Sequence, residues 1–120
     1  MKRFLLADDN SDLRSALRLM LETRLTAPLI FEASDHARMI DQSMTQRPDC
    51  LILDWELPGL ADPDHLLALR DLLPDLKIIV TSARPEAAEM AAAARADAFI
   101  CKTDPPAEIL NAIRRLNGKV

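Results

Sequence analysis

Hydrophobic residues along the chain alternate between short continuous runs and longer stretches in which they recur with helical spacing. The continuous runs predict strands at residues 3–7, 29–31, 50–53, 76–80 and 98–101. The helical spacing predicts helices at residues 11–24, 35–46, 62–73, 85–95 and 104–116. The chain is therefore expected to repeat a strand followed by a helix five times.

This alternation predicts an open, doubly wound α/β fold, (βα)5, in which helices cover both faces of a parallel sheet. The near-continuous apolar strands agree with it, because a strand that is buried on both faces has no polar side. An eight-unit barrel would need about twice this length. With 120 residues in total, we expect residues 1–120 to form a single domain.

The composition excludes several classes of protein. Hydrophobic residues make up 49% and charged residues 28% of the chain, which is typical of globular domains. No apolar run approaches the roughly 18 residues that span a membrane, and the N-terminus lacks the apolar core of a signal peptide. The net charge of −4 argues against direct nucleic-acid binding by this domain.

The residue types that hold common cofactors are also scarce. With Gly59 and Gly118 as the only glycines, the chain has no glycine-rich phosphate loop, and no Cys/His cluster has the spacing of a zinc site. Cys50 and Cys101 lie in apolar runs, where we expect buried, inert thiols. A reduced, cytoplasmic protein is therefore expected.

Polar residues follow four of the five predicted strands. They are Asp8 and Asp9, Asp54, Thr81 and Ser82, and Lys102. Taken singly, each has an ordinary structural interpretation, such as a helix start, a turn or a solvated strand end. In an open α/β sheet, however, the carboxyl ends of the strands meet at one edge, and ligands bind there. We therefore expect these side chains to converge.

The converging residue types point to phosphoryl transfer. Carboxylates held together repel one another unless a cation lies among them, and oxygen ligands suit Mg²⁺ or Mn²⁺ rather than zinc. A carboxylate beside such a metal can attack phosphorus and form an aspartyl-phosphate. A lysine and a hydroxyl group opposite it would hold the phosphoryl oxygens.

In this order, the residues resemble the receiver domain of bacterial two-component response regulators along the whole chain. The matching features are the acidic pair, the run Leu51-Ile52-Leu53-Asp54 with Leu57-Pro58-Gly59 after it, the hydroxyl after the fourth strand and the lysine after the fifth. Each motif alone is weak, whereas the ordered set is specific. The fold expected with this resemblance is a five-stranded parallel sheet with the flavodoxin-like strand order 2-1-3-4-5.

The resemblance implies a role for each site residue. Asp54 would accept a phosphoryl group from a histidine kinase or a phosphotransfer protein, and Lys102 would pair with that group. Mg²⁺ would be held by Asp9, Asp54 and the backbone carbonyl of Glu56, with Asp8 in support. Trp55, directly after Asp54, and Ala83, after the hydroxyl pair, are further candidate cofactor-binding residues, and Phe99 matches the aromatic switch position.

The sequence also departs from the family pattern. Thr81-Ser82-Ala83 offers two positions for the phosphate-contacting hydroxyl, and the count of strand residues favours Ser82 with Ala83 as its small neighbour. Thr103 stands where a proline often follows the lysine, and no glycine precedes the fifth strand. The fourth helix is expected to be short or shifted.

The favoured function is a phosphorylation-driven switch that reshapes the surface of helix 4, strand 5 and helix 5, with a homodimer on phosphorylation. One alternative is a Mg²⁺-dependent phosphohydrolase, although Glu56 stands where such enzymes often have a second aspartate. Another is a receiver-like module that only binds partners. The sequence ends just after the fifth predicted helix, so we expect either a single-domain regulator or the receiver part of a longer protein.

Overall fold

Strands and helices alternate along the chain in the order that the hydrophobic pattern predicts. The computed structural model describes residues 1–60 and 64–118. The strands in these residues are β1 (Arg3–Ala7), β2 (Leu29–Ala33), β3 (Cys50–Asp54), β4 (Lys77–Ser82) and β5 (Ala98–Cys101). The helices are α1 (Ser11–Arg24), α2 (His36–Gln46), α3 (Asp64–Leu72), α4 (Ala87–Ala93) and α5 (Ala107–Asn117).

The strands form one parallel sheet in the order β2-β1-β3-β4-β5, which confirms the predicted fold and strand order. Side chains alternate between its two faces, and each face has its own core. Leu5, Leu53 and Val80 belong to the core that includes residues of α2, α3 and α4. Leu6 and Ile52 belong to the core that includes residues of α1 and α5. Burial on both faces explains the continuous apolar runs.

The fourth strand is longer than its apolar run predicts. Thr81 and Ser82 were expected to follow the strand, but both pair with β5, opposite Ile100 and Cys101. Backbone pairing continues past the last apolar residue because hydrogen bonding does not depend on side-chain polarity. The two hydroxyl groups are therefore held by the sheet rather than by a loop.

Helices α2, α4 and α5 start later than the hydrophobic pattern predicts, and α4 begins at Ala87 rather than at residue 85. Asp35 lies outside α2 and caps it, because its carboxylate accepts a hydrogen bond from the Arg38 backbone N–H. The fifth helix begins at Ala107 rather than at residue 104, after a turn in which the Asp104 N–H bonds to the Cys101 carbonyl. The predicted start of the third helix, at residues 62–63, lies outside the described residues.

The fourth helix is short, as expected, and the connection after it contains no glycine. Arg95 adopts φ +64° and makes the left-handed turn for which a glycine is the usual residue. The carbonyl of Arg95 and the carboxylate of Asp97 both accept hydrogen bonds from the Arg70 guanidinium, at 2.5 and 2.6 Å. Arg70 also bonds to the Leu76 carbonyl, so it joins the segments that precede β4 and β5.

The turn between β3 and α3 depends on Gly59. This glycine has φ +89°, and a Cβ atom added to it would lie 2.9 Å from the His36 Cβ. The His36 N–H donates to the Pro58 carbonyl at 2.8 Å, so the turn is held against the start of α2. Both the backbone conformation and the available space require glycine at this position.

We predict that Gly59→Ala lowers the free energy of unfolding by about 1–3 kcal/mol, because it adds left-handed strain and a close contact. Gly118→Ala is the matched control, since the nearest atom that its added Cβ would meet outside its chain neighbours, among the described residues, is the Arg114 carbonyl oxygen at 3.4 Å. Urea unfolding of both variants and the parent measures the effect. An equal loss in the two variants would contradict the role given to Gly59.

Candidate functional site

Three carboxylates meet at the carboxyl end of β1 and β3. Asp54 is the last residue of β3, and Asp8 directly follows the neighbouring strand β1. Asp8 and Asp54 are buried, whereas Asp9 is exposed. Carboxylate oxygens of Asp8, Asp9 and Asp54 all lie within 4.8 Å of one another. The predicted convergence of the acidic residues is therefore present in the structure.

Lys102 bridges the two buried carboxylates. Its Nζ lies 2.9 Å from Asp8 Oδ2 and 3.3 Å from Asp54 Oδ1. Burial by itself lowers the pKa of Lys102, but the hydrogen bond to Asp8 and the charges of Asp54 and Asp8 outweigh it, so the pKa lies above its ordinary value. Lys102 therefore remains a cation that balances part of the negative charge.

The charge on Asp54 is only partly compensated. Burial raises the pKa of Asp54 and the nearby charge of Asp8 raises it further, while the Glu56 N–H bond and Lys102 act in the opposite direction. The Glu56 N–H donates to Asp54 Oδ1 at 3.1 Å. The net pKa stays above the ordinary value, as expected for crowded carboxylates without a divalent cation. Oxygen donors of this kind fit a hard ion such as Mg²⁺.

Thr81 and Ser82 lie on opposite faces of β4. Thr81 Oγ1 is 3.5 Å from the Leu53 carbonyl, and Thr81 lines a cavity together with Ile52 and Lys102. Ser82 is fully buried, and its Oγ donates to Glu56 Oε1 at 2.8 Å. The two hydroxyl groups that the sequence left as alternatives therefore have different partners.

The remaining predicted site residues surround this cluster at different depths. Trp55 is buried in the core on the α2–α4 side, and its backbone N–H donates to the Thr81 carbonyl at 2.8 Å. Ala83 is exposed directly after β4. Phe99 is partly buried in β5 and packs against the same core as Trp55. Glu56 is exposed, and its side chain turns back to Ser82.

Two arginines at the site were missed by the sequence interpretation. Arg14 donates to the Asp8 carbonyl at 2.5 Å and pairs with Glu32 at 2.9 Å, which holds the backbone of the acidic pair. The Arg84 guanidinium lies 3.3 Å from Glu56 Oε2. Their only signal in the sequence is position, since each follows a predicted site residue within a few positions.

The cysteines and Thr103 complete the local description. Burial raises the pKa of the Cys50 thiol to about 12, so this thiol stays protonated. Cys101 was expected to be buried, but it is half-buried, with its Sγ 3.1 Å from Thr103 Oγ1. No cis peptide bond occurs in residues 1–60 and 64–118, so the Lys102–Thr103 bond is trans. Among those residues, no helix is both long and apolar enough to span a membrane.

Comparison with known proteins places these residues in a family context. Residues 4–114 match the model of the response regulator receiver domain. The transcriptional activator protein ExaE of Pseudomonas putida is 31% identical over 114 residues, which are 93% of this chain and 53% of that protein. The chain thus spans about half the length of the curated relatives it matches.

Solved structures agree with this match. A LuxR-family two-component response regulator from Aurantimonas sp. has a TM-score of 0.86 and 26% identity, over 97% of this chain and 85% of the other. The isolated receiver domain of RcsB from Salmonella enterica, solved with the phosphomimetic BeF₃⁻, has a TM-score of 0.87. Its identity is 20%, over 98% of this chain and 89% of the other, so it shows likeness of fold.

We predict that Asp54→Asn raises the thermal unfolding midpoint at pH 7 in the presence of a chelator. The folded state raises the pKa of Asp54, so ionising this group costs stability above that raised value. The difference in unfolding midpoint between Asp54→Asn and the parent should shrink as the pH falls through the raised pKa of Asp54 to the ordinary value of 3.8 and below. Asp54 then becomes neutral in the folded and in the unfolded protein. Differential scanning calorimetry across this pH range measures it.

Asp12→Asn serves as the control, because Asp12 is an exposed residue in the first turn of α1. The carboxylate of Asp12 interacts favourably with the positive end of the helix dipole, so its replacement should not raise the unfolding midpoint. A gain for Asp54→Asn that is independent of pH would contradict the burial argument.

Proposed function

The chain belongs to the response regulator receiver domain family, and on that premise we propose that it is a phosphorylation-activated signalling switch in which Asp54 accepts the phosphoryl group. The observation that carries the proposal is the surroundings of Asp54. This buried carboxylate lies at a strand end beside Lys102, and Asp8 and Asp9 lie within 4.8 Å. A carboxylate nucleophile, a cation and further acidic donors are the groups that phosphoryl transfer to an aspartate needs.

The donor we propose is a histidine kinase or a phosphotransfer protein that carries a phosphohistidine. An oxygen of Asp54 forms a bond to phosphorus while the bond from phosphorus to the histidine nitrogen breaks, and its electron pair stays on that nitrogen. Lys102 Nζ, 3.3 Å from Asp54 Oδ1, is placed to offset the charge of the incoming phosphoryl oxygens. The raised pKa of Lys102 keeps it protonated for this role.

A magnesium ion belongs to the same proposal. The carboxylates of Asp9 and Asp54 and the backbone carbonyl of Glu56 would hold the ion, with Asp8 in support. When bound, Mg²⁺ draws charge from the phosphoryl oxygens and relieves the repulsion among the carboxylates. Arg14 contributes indirectly, since its bond to the Asp8 carbonyl keeps the acidic pair in place.

We propose Ser82, rather than Thr81, as the hydroxyl that moves to the phosphoryl group. Its Oγ lies on the β4 face that packs toward α4, and Phe99 lies partly buried on β5 beside the same core. A phosphoryl group adds up to about two negative charges and three acceptor oxygens. Movement of Ser82 toward it would change the surface of α4, β5 and α5.

We propose that this surface contacts partner proteins in the cytoplasm, including a second phosphorylated copy of the chain. Direct binding of nucleic acid is not part of the proposal, because the chain has a net charge of −4. The matched relatives that are transcriptional regulators are about twice as long as this chain.

We predict that acetyl phosphate and Mg²⁺ add a single phosphoryl group, about 80 Da, to the parent protein and none to Asp54→Asn. Intact-mass spectrometry measures the adduct. Lys102→Ala should still accept the group but should not show the parent's change in sedimentation on phosphorylation, because the lysine contacts the phosphoryl group rather than the metal. Asp12→Asn should behave as the parent does.

An adduct that persists in Asp54→Asn would reject Asp54 as the acceptor. Loss of Mg²⁺ binding in Lys102→Ala would reject the role given to the lysine. Sedimentation of the parent with and without beryllofluoride, which mimics the phosphoryl group, also tests the homodimer. An unchanged monomer at high protein concentration would remove the dimer from the proposal.

We predict that Mg²⁺ changes the fluorescence of Trp55, the only tryptophan in a chain without tyrosine. Trp55 directly follows Asp54, so a cation that joins the carboxylates alters the electric field at the indole. A titration into the millimolar range is appropriate, because open Mg²⁺ sites keep several waters. Asp9→Ala should abolish the response, since it removes a ligand without changing Trp55. A flat titration of the parent, or an equal response in Asp9→Ala, would count against the metal site.

A further inference from the structure

The hydroxyl group of Ser82 is already bound to another side chain, although the proposed switch requires it at Asp54. Ser82 is fully buried, and its Oγ lies 2.8 Å from Oε1 and 3.0 Å from Oε2 of Glu56. A serine hydroxyl carries one proton, so it donates one full hydrogen bond at a time. In this structure that proton is committed to the Glu56 carboxylate.

Glu56 is itself held from two directions. Its backbone N–H donates to Asp54 Oδ1 at 3.1 Å, which fixes the start of the turn after β3. Its carboxylate lies 3.3 Å from the Arg84 guanidinium, and the Arg84 backbone N–H donates to Ser82 Oγ at 3.0 Å. Ser82, Glu56 and Arg84 therefore form a closed ring of hydrogen bonds, which we call the Glu56 clamp.

The bonds of the Glu56 clamp differ in strength. The ion pair between Arg84 and Glu56 is solvent-exposed, and such pairs contribute little stability alone. The bond from Ser82 to Glu56 has a buried donor and an ionised acceptor, which makes it the stronger contact. Arg84 therefore serves mainly to orient the carboxylate that binds Ser82.

We infer that Glu56 is a positioning residue that opposes the switch, because its carboxylate competes with the phosphoryl group on Asp54 for the Ser82 proton. This inference rests on the proposed function. Both acceptors are anions, so the switch exchanges one charge-assisted hydrogen bond for another. Only molecules in which the bond from Ser82 to Glu56 is broken can offer the hydroxyl to the phosphoryl group. The apparent affinity of the site for a phosphoryl analogue is therefore lower than its intrinsic affinity, in proportion to the fraction of molecules in which this bond is broken.

Glu56 could also weaken the binding of an anion simply through the repulsion between like charges. A double-mutant cycle separates the two effects. Repulsion through space acts whether or not Ser82 has a hydroxyl group. Competition for the proton acts only when the hydroxyl is present. The effect of Glu56→Gln must therefore depend on Ser82 if the Glu56 clamp operates, and must be independent of Ser82 if it does not.

The experiment measures the affinity for beryllofluoride in the presence of Mg²⁺, by Trp55 fluorescence, in the parent, Glu56→Gln, Ser82→Ala and the double variant. We expect Glu56→Gln to bind about tenfold tighter than the parent. In the Ser82→Ala background the same replacement should change the affinity by no more than about twofold. Glu22→Gln, which removes an exposed charge from α1, should bind as the parent does.

A second readout follows the Arg84 backbone amide by NMR, because its N–H donates to Ser82 Oγ. In Glu56→Gln without beryllofluoride, this resonance should move from its parent position toward its beryllofluoride-bound position. Ser82→Cys, whose thiol is a weak donor, serves as a second variant should Ser82→Ala unfold.

An equal gain from Glu56→Gln in both backgrounds would overturn the Glu56 clamp and leave the proposed function intact. A parent protein that fails to bind beryllofluoride with Mg²⁺ would overturn the proposed function, and the clamp with it.

Discussion

The crowding of negative charge at one edge of the sheet is the constraint on which the rest of the site depends. Parallel strands bring Asp8 and Asp54 to the same edge, and burial makes their charges costly. Lys102 offsets part of this charge, yet the pKa of Asp54 remains above its ordinary value. An arrangement that costs stability in the resting protein is typical of a binding or reaction site, where a ligand relieves the cost.

The strand ends make this arrangement predictable from the sequence. Each buried strand appears as an apolar run, and the first polar residue after a run marks its carboxyl end. That rule located Asp8, Asp54 and Lys102 without any knowledge of their contacts. It placed the end of β4 two residues too early, because Thr81 and Ser82 are polar yet remain paired with β5. Side-chain polarity indicates burial, whereas strand pairing follows the backbone.

The features that the sequence did not reveal are side-chain contacts between residues far apart along the chain. Glu56 and Ser82 are separated by 26 positions, and nothing in either local pattern indicates that they bind each other. The left-handed turn at Arg95 is equally hidden, since only a glycine would have signalled it. Local patterns therefore predicted the cluster of Asp8, Asp54 and Lys102, whereas the hydrogen bonds around it required the three-dimensional structure.

The contacts of Arg70 have a mechanical consequence for the far end of the sheet. One guanidinium binds the chain just before β4, at Leu76, and just before β5, at Arg95 and Asp97. Asp97 also accepts the Ile78 N–H and so closes this end of the two strands. The amino ends of β4 and β5 are thus fixed relative to each other by side-chain bonds. Ser82 and Lys102 lie at or just beyond the opposite, carboxyl ends of these strands. A movement of Ser82 or Lys102 toward the edge that holds the three carboxylates therefore does not require the bonds at the amino ends of the strands to break.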